Sequence, residues 1–452
     1  RARAGPAGPA RMEEWVTMAN PVNPPRGMRD FLPADKARRE HALGIIKGVY
    51  RAHGFDEIET PVVEDYARLH AGLGGDNEKL SFSILKRGIR PEQLQAATET
   101  GNAEQLADLG LRFDLTVPLT RFYASHRAEL PPVFRAIQIA PVWRAERPQK
   151  GRYRQFVQAD IDIIGEPGLL AEIELVTATS QVLAELGLQG CVIRVNDRRI
   201  LFGVLEHCGF AAEQHDRALI IIDKLDKIGA VGVIDELREL DQAAALRVGE
   251  VLLAIEPQLS GDGMPLTRAA IEAVLPAGAA EDGVTNLAAL GEALAGGLPT
   301  GVTVRFDPTL VRGMGYYTGT IFEVAHPGSG SSVGGGGRYD GMVGRFLGQE
   351  VPAVGFSIGF ERVVDLIELP ADDGPAAVAL VYDADVAFAD LPARRSELVA
   401  QGHRVRLEKR QKNMKTLLGR LEAEGFTAFA SVRAGARAAA ELEFRALGGV
   451  TD

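Results

Sequence analysis

The segment VWRAERPQKGRYRQFVQADIDIIG, residues 142–165, holds a dense group of cationic and acidic side chains. In its second half, charged or polar residues recur at every second position, and in a β-strand such residues point to one face of the sheet. Burying those charges unpaired against a core would be costly. We therefore expect this face to meet a polar ligand that carries charges of both signs. The members of the face are Arg152, Arg154, Phe156, Gln158, Asp160 and Asp162.

The residue types indicate what such a ligand would be. Arginines bind phosphates through paired N–H donors, and Arg144 and Arg147 precede the alternating stretch. Phe156 offers a flat face for a base, and the carboxylates suit a cation or an N–H donor. The alternative is an exposed sheet face crossed by salt bridges.

Four other segments carry candidate site residues. RFDLTVPL puts Asp114 and Thr116 on one side of a short extended segment, where they can hold an ammonium group. In LVRGMGYYTG, Arg312 precedes two glycines, which allow backbone to approach a ligand closely. In GFSIGFER, Arg362 begins a helix and can reach a phosphate. The run GGGGRYDGM lacks the lysine of a Walker site, and each glycine run could equally be a turn.

These segments are positioned by alternating strands and helices. The periodicity of apolar residues predicts a helix over 34–52, a hairpin of strands 136–146 and 153–165, a helix over 168–188, and mostly helix from 200 to 298. We predict further strands at 55–63, 80–86, 191–196, 302–307 and 317–325, then a strand and helix over 353–370. After a linker, alternating β and α patterns predict a small α/β domain.

Composition narrows the class of protein. The chain has 452 residues, 46% hydrophobic and 25% charged, which predicts two or three globular domains. Its two cysteines form no C-x-x-C pair, which favours a reducing cytoplasm, and no apolar run is long enough to span a bilayer. The net charge of −11 disfavours nucleic acid, but seven Lys/Arg between Arg404 and Arg420 form a local basic stripe. Taken alone, that stripe is better explained as a solvated surface.

Taken together, the motifs resemble class II aminoacyl-tRNA synthetases, specifically histidyl-tRNA synthetases. PRGMRDFLP resembles the N-terminal signature of that family, and the helix and strand ending at Pro61 resemble its dimer-forming motif 1. FRAIQIAPVWRAERPQKGRYRQF is similar to motif 2 and GFSIGFER to motif 3, while RFDPTLVRGMGYYTG and GGGGRYDG are similar to the family's two histidine-binding motifs. The family usually has Asp before the Tyr-Tyr pair, where this chain has Gly315, and the C-terminal part matches less well.

The resemblance implies a role for each matching residue. Arg144, Arg312 and Arg362 would be catalytic, with Arg312 neutralising charge at the α-phosphate. ATP would be bound by Arg144, Arg152, Phe156 and Arg362, and Gln149 would contact the tRNA acceptor end. Histidine would be bound by Asp114, Thr116, Gln158, Asp162, Arg312, Tyr316 and Tyr317. ATP and Mg²⁺ would be required, with no fixed metal site in the protein.

The resemblance also implies an α+β fold, with an antiparallel six- or seven-stranded sheet flanked by helices and a homodimer in the cytoplasm. We expect a disordered extension at 1–21, a catalytic domain of 22–200 and 299–367, a helical insertion at 201–298, a linker at 368–376, and an anticodon-binding-like α/β domain at 377–452. The partners would be tRNA(His) and L-histidine, with no membrane. Two alternatives remain: a non-catalytic paralogue such as the regulatory subunit of ATP phosphoribosyltransferase, or an amino acid-activating enzyme with a non-tRNA acceptor.

Overall fold

A computed structural model describes residues 22–70, 80–149, 151–255, 263–312, 315–368, 376–433 and 442–447. The extension expected at 1–21 and most of the linker expected at 368–376 fall outside these ranges. The chain divides into two compact units, Arg1–Ile367 and Glu368–Asp452.

Within the described ranges, the structure has strands and helices as follows. The strands are β1 (Asp56–Glu57), β2 (Val63–Asp65), β3 (Phe82–Leu85), β4 (Ala107–Leu111), β5 (Phe134–Trp143), β6 (Gln155–Ile164), β7 (Cys191–Asp197), β8 (Met264–Pro265), β9 (Val302–Phe306), β10 (Thr320–Ala325), β11 (Gly334–Arg338), β12 (Ala353–Ile358), β13 (Ala377–Tyr382), β14 (Arg404–Lys409), β15 (Ala428–Val432) and β16 (Phe444–Ala446). The helices are α1 (Pro33–Ala52), α2 (Tyr66–Leu69), α3 (Pro91–Thr100), α4 (Thr116–His126), α5 (Leu170–Glu185), α6 (Arg198–Cys208), α7 (His215–Ile222), α8 (Leu225–Leu237), α9 (Gln242–Ile255), α10 (Arg268–Glu272), α11 (Glu281–Leu294), α12 (Asp340–Leu347), α13 (Phe360–Leu366), α14 (Leu391–Ala400) and α15 (Met414–Ala423).

A nine-stranded sheet forms the centre of the first unit, in the order β1-β5-β6-β12-β11-β10-β7-β9-β8. The neighbouring pairs are antiparallel except for β1 with β5 and β7 with β9. The expected six or seven strands are exceeded because two-residue strands, β1 and β8, extend the two edges. The α+β class is confirmed. A separate three-stranded sheet has the order β2-β4-β3.

The hairpin of β5 and β6 carries most of the site residues, and it is confirmed with ten paired positions from Phe134↔Ile164 to Trp143↔Gln155. Along β6, the small or apolar residues Ala159, Ile161 and Ile163 are fully buried in a core with α1, α5, α11 and α13. Because strand residues alternate between faces, the polar residues of β6 point to the opposite side of the sheet. The apolar face of β6 therefore packs into the core, while its polar face is available to bind a ligand.

The predicted elements differ from the structure at three places. The strand predicted over 55–63 is reduced to β1, with β2 beginning at Val63. Asp114 and Thr116 do not lie on an extended segment, because α4 begins at Thr116 and Asp114 Oδ1 accepts a hydrogen bond from the Val117 N–H at 3.2 Å. The run at 334–337 is not a turn but most of strand β11.

The stretch 200–298 is mostly helical, as expected. Helices α6 to α9 pack together around buried residues such as Leu205, Leu219, Val233 and Val248. Helix α8 is interrupted at Gly229, whose φ of 67° is left-handed and suits glycine.

The second unit is a small α/β unit with a four-stranded sheet in the order β14-β13-β15-β16. Strand β13 pairs parallel with both β14 and β15, while β16 is antiparallel to β15. Fully buried Leu380 contributes to one core of the unit, and Val381 and Leu421 contribute to the other. Across both units, the part of the chain that the structure describes contains no helix long and apolar enough to cross a bilayer.

Candidate active site

A cavity of about 280 Å³ lies over the polar face of the central sheet. Strands β6, β11 and β12 contribute to its lining, together with helix α13 and the loops that precede α4 and β10. Twelve residues expected at the site line this one cavity: Asp114, Thr116, Arg144, Arg152, Phe156, Gln158, Asp160, Asp162, Arg312, Tyr316, Tyr317 and Arg362.

Three residues expected nearby, Arg147, Gln149 and Arg154, do not line it. Gln149 is exposed in the loop between β5 and β6, where its backbone pairs with that of Arg152. Arg154 precedes the first residue of β6, so the alternation of the strand does not extend to it. Its N–H donates to the Gly27 carbonyl at 2.8 Å and its Nε to the Glu146 carbonyl at 3.0 Å.

Four arginines converge on one end of the cavity, each held by a different contact. Arg144 Nε donates to the Phe113 carbonyl at 2.9 Å, and Arg312 Nη1 lies 3.1 Å from Glu323 Oε2. Arg152 Nε lies 3.2 Å from Glu146 Oε2, and Arg362 donates to the Ser332 carbonyl.

The charges of these arginines affect one another. Burial lowers the pKa of Arg362, and the neighbouring cations Arg152, Arg312 and Arg144 lower it further, although Glu323 opposes this. Burial also acts to lower the pKa of Arg312, but Tyr317, Glu323 and Tyr316 outweigh it and the pKa is raised. Like charges held this close favour a polyanion between them. The cationic end therefore suits a chain of phosphates.

An aromatic surface borders the cationic end. The guanidinium of Arg144 lies over the Phe156 ring, 5.1 Å from its centroid. Phe156 is half-buried on the polar face of β6. A planar base adjoining the phosphates would find a ring to stack on there.

Three buried carboxyl groups that lie close to one another also line the cavity, and we call their part of it the acidic end. Burial raises the pKa of Asp114 to about 6, partly offset by the Val117 N–H and Arg144. Burial likewise raises the pKa of Asp162 to about 7, against the hydrogen bond from Tyr339. The pKa of Asp160 is raised well above its usual value by burial and by Asp162. Such a cluster favours a ligand that brings a cation or several N–H donors.

Two buried acceptors at this end have no hydrogen-bond partner among the described residues: Asp114 Oδ2 and Gln158 Oε1. A buried acceptor left without a donor costs about 1–3 kcal/mol. Both atoms belong to residues that line the cavity. A bound ammonium group would satisfy both.

The glycines of β11 form a floor without side chains. A Cβ on Gly335 would lie 2.6 Å from Arg312 Nη1, and a Cβ on Gly337 would lie 2.9 Å from the Tyr317 ring. On the neighbouring β12, a Cβ on Gly355 would overlap Asp162 Oδ1. These glycines are therefore required for the side chains of the site to reach the cavity.

Tyr339 and Glu361 also line the cavity, although the sequence motifs assigned them no role. The Tyr339 hydroxyl, fully buried, donates to Asp162 Oδ1 at 2.6 Å, and its only signal was its place in GGGGRYDGM. Glu361 precedes Arg362 and binds Arg29 and Arg39. It also accepts the Val157 N–H at 3.1 Å. Glu361 thereby ties α13 to the N-terminal signature and to β6, and sequence spacing alone could not show these long-range contacts.

Comparisons with known proteins agree with this geometry. The family model of histidyl-tRNA synthetase matches residues 27–363. The histidine–tRNA ligase of Leifsonia xyli subsp. xyli is 67% identical over 92% of this chain and 96% of its own length. A probable histidine–tRNA ligase of Tropheryma whipplei is 43% identical over 90% of this chain and 95% of its own.

Solved structures show the same fold. The crystal structure of histidyl-tRNA synthetase from Nostoc sp. matches with a TM-score of 0.73 at 25% identity, covering 94% of this chain and 95% of that one. The apo enzyme of S. aureus matches in fold with a TM-score of 0.61 at 19% identity, covering 91% of each chain. With the family model matching well over half of its length, this chain belongs to the histidyl-tRNA synthetase family.

Proposed function

We propose that this chain carries out the reaction of its family: it activates L-histidine with ATP and transfers the histidyl group to tRNA(His). The observation that carries the proposal is that one cavity is lined by two charged groups, four arginines close to one another and three buried carboxyls close to one another. ATP is a polyanion with a planar base, whereas histidine brings an ammonium group and an imidazole. Each end suits one of the two substrates.

At the cationic end, Arg144 binds the α-phosphate and Arg152 the outer phosphates. The adenine stacks on Phe156, with Arg362 near its other face and the γ-phosphate. Arg312 neutralises the charge that develops at the α-phosphate. Since Arg312 lies within reach of Glu323, with Nη1 3.1 Å from Oε2, it is held in place before the substrates arrive.

At the acidic end, Asp114, Thr116 and Gln158 hold the α-amino group, supported by the unpartnered Asp114 Oδ2 and Gln158 Oε1. Asp162 and Tyr317 bind the two imidazole nitrogens, with Tyr316 beside them. A neutral imidazole has one N–H and one lone pair. A carboxylate accepts the N–H and a phenol donates to the lone pair, so an apolar analogue would leave both unmatched.

The chemistry is adenylyl transfer. The histidine carboxylate attacks the α-phosphorus, and pyrophosphate leaves from the opposite side. This step needs positioning and charge neutralisation more than a general base. In the second step a hydroxyl of the terminal tRNA adenosine attacks the histidyl carbonyl, and AMP leaves.

Mg²⁺ fits this site as an ion that arrives with ATP. The described residues include no group of three or more His, Cys, Asp or Glu side chains that could hold a metal by themselves. Glu146 lines the cationic end and would offer a carboxylate oxygen, the ligand type Mg²⁺ prefers, together with the phosphates of ATP. The ion would supply further charge neutralisation at the phosphates.

For tRNA we propose two contacts. Gln149 is exposed in the loop beside the cavity mouth and would meet the acceptor end. In the second unit, arginines of the basic stripe are engaged: Arg406 and Arg420 with Glu408 and Glu424, and Arg410 with Asp383. Three exposed lysines of the stripe make no ion pair with any described residue, and we call them the lysine cluster: Lys409, Lys412 and Lys415. Anticodon-binding by the 377–452 domain, homodimerisation and a cytoplasmic location are further parts of the proposal.

The experiment is histidine-dependent ATP–pyrophosphate exchange, followed by charging of purified tRNA with labelled histidine. We expect both activities, with other amino acids failing to compete. Exchange at background level in folded protein would refute catalysis. Exchange without charging would favour an activating enzyme with another acceptor. Neither that reading nor a non-catalytic paralogue is favoured, since the 67% identical relative is named a histidine–tRNA ligase.

A further inference from the structure

The amide of Gln158 occupies a defined orientation at the acidic end of the cavity. Its Nε2 lies 3.2 Å from Asp160 Oδ2 and 3.4 Å from Ser357 Oγ. Its Oε1 is buried without a donor. Reversing the amide would place Oε1 against the Asp160 carboxyl, acceptor against acceptor. The contacts therefore decide which end of the amide faces the substrate.

Asp160 has no cationic partner among the described residues, although it is only 5% exposed. Asp160 on β6 pairs directly with Ser357 on β12 in the antiparallel register. Ser357 also hydrogen-bonds to the Asp160 carboxyl, and so it donates to Asp160 while accepting from Gln158. Asp160, Ser357 and Gln158 thus form a closed set of three hydrogen bonds.

The buried carboxyl of Asp160 destabilises the fold. Burial disfavours its ionised form, and so do the nearby carboxyls of Asp162 and Asp114. An apolar residue would pack on the sheet without that cost. A buried acid with no cation needs a reason other than stability, and its contacts with Gln158 supply one.

We propose that Asp160, together with Ser357, is a positioning residue that holds the Gln158 amide with its oxygen towards the α-ammonium group of histidine. This inference rests on the proposed function, because it assumes that Gln158 receives that ammonium. Without Asp160, the Ser357 hydroxyl is free to donate to Gln158 Oε1, which turns the amide NH₂ towards the cation. Asp160 therefore acts on histidine affinity through Gln158 and leaves the nucleotide end alone.

The test compares four variants in the exchange assay, with histidine affinity also measured by calorimetry. Asp160→Ala removes the acceptor, and the KM for histidine should rise about tenfold or more, the value of a hydrogen bond to a charged group. The KM for ATP should stay within about twofold. Asp160→Asn removes the charge but keeps an acceptor, and the rise should be smaller. Thermal unfolding checks that each variant is folded.

The third variant reverses the polarity of the contact at constant charge. In Asp160→Asn with Gln158→Glu, the asparagine amide donates to the glutamate, whose second oxygen faces the ammonium. Histidine affinity should recover to within a few-fold of the wild type, while Gln158→Glu alone sets two acids against each other and should bind worse than the pair.

The outcomes separate the two proposals. No exchange in the wild type overturns the proposed function and this inference with it. Exchange in the wild type with an unchanged histidine KM in Asp160→Ala overturns the inference alone. Equal losses in Asp160→Ala and Asp160→Asn, without recovery in the double variant, would show that Asp160 acts only through its charge, which also overturns it.

Discussion

The hydrogen bond from Tyr339 to Asp162 should make histidine binding depend on pH. The two oxygens are 2.6 Å apart in a buried site, and the bond lowers the pKa of Asp162, which burial raises to about 7. At neutral pH Asp162 is therefore about half ionised. The ionised form accepts the imidazole N–H much more strongly than the neutral carboxyl does. Tyr339→Phe should raise the pKa of Asp162 further and weaken histidine binding at neutral pH.

The magnitude follows from the strength of such a bond. A hydrogen bond to a charged group contributes about 1.5 kcal/mol or more, which is roughly a tenfold change in proton affinity. The ionised fraction at pH 7 would then fall from about one half to about one tenth. The KM for histidine should rise about fivefold at pH 7. At pH 8.5 the ratio between variant and wild type should shrink to about twofold or less.

The assay is pyrophosphate exchange with histidine as the variable substrate, between pH 6.5 and 8.5. Because the substrate titrates in the same range, the ratio of variant to wild type at each pH is the informative quantity. Tyr123→Phe is a matched control, since Tyr123 is a buried tyrosine that does not line the cavity. A ratio that stays constant across the range would refute the link to Asp162, and no change at any pH would refute the role of Tyr339.

Four further predictions follow. Arg312→Ala should lower kcat for exchange by roughly a hundredfold or more, as loss of charge neutralisation does elsewhere, with little change in histidine affinity by calorimetry; equal losses would contradict a transition-state role. Asp162→Asn should abolish histidine selectivity yet raise the melting temperature of the ligand-free protein by a few degrees at pH 8 and not at pH 4. The reason is that burial raises the pKa of Asp162 in the folded protein to about 7, above its pKa in the unfolded chain. Its ionisation therefore destabilises the fold at pH 8, whereas at pH 4 the carboxyl is largely protonated and the cost is small. An equal gain in melting temperature at both pH values would disprove this. Gly315→Asp should change the histidine KM by less than about threefold, because Gly315 is exposed and does not line the cavity; a larger change in steady-state kinetics would place it in the site. Replacing the lysine cluster by alanine should raise the KM for tRNA several-fold and leave exchange intact, with Lys36→Ala as a control from α1; an unchanged tRNA KM would show that the cluster is only a solvated surface.

The parts of the site that follow a regular period were predictable from sequence. The alternation from Phe156 to Asp162 correctly predicted a strand with one polar face, because side-chain direction on a strand depends only on the count of residues. The same count failed at Arg154, where the strand has not yet begun and the backbone bonds to Gly27 instead.

Site residues outside a regular strand or helix pattern were harder to predict. Glycine has little preference for strand, so nothing local identified Gly334–Arg338 as β11; its neighbours on both sides, β10 and β12, impose the extended form. Asp114 was expected on an extended segment because its role at the start of α4 depends on a hydrogen bond that spacing does not reveal. The contacts of Tyr339 with Asp162 and of Glu361 with Arg29 join residues far apart in sequence, so only the folded chain could show them.

The glycines of β11, which form the floor of the cavity, limit how the ligand specificity of the cavity can change. Where the strand beneath a ligand carries side chains, exchanging one of them can change specificity. Here that strand offers only peptide groups, and any larger residue at Gly335 or Gly337 collides with Arg312 or Tyr317. Variation in what the pocket accepts must therefore come from the walls, β6 and the loop before β10, while the floor stays the same in any relative that keeps those two side chains in place.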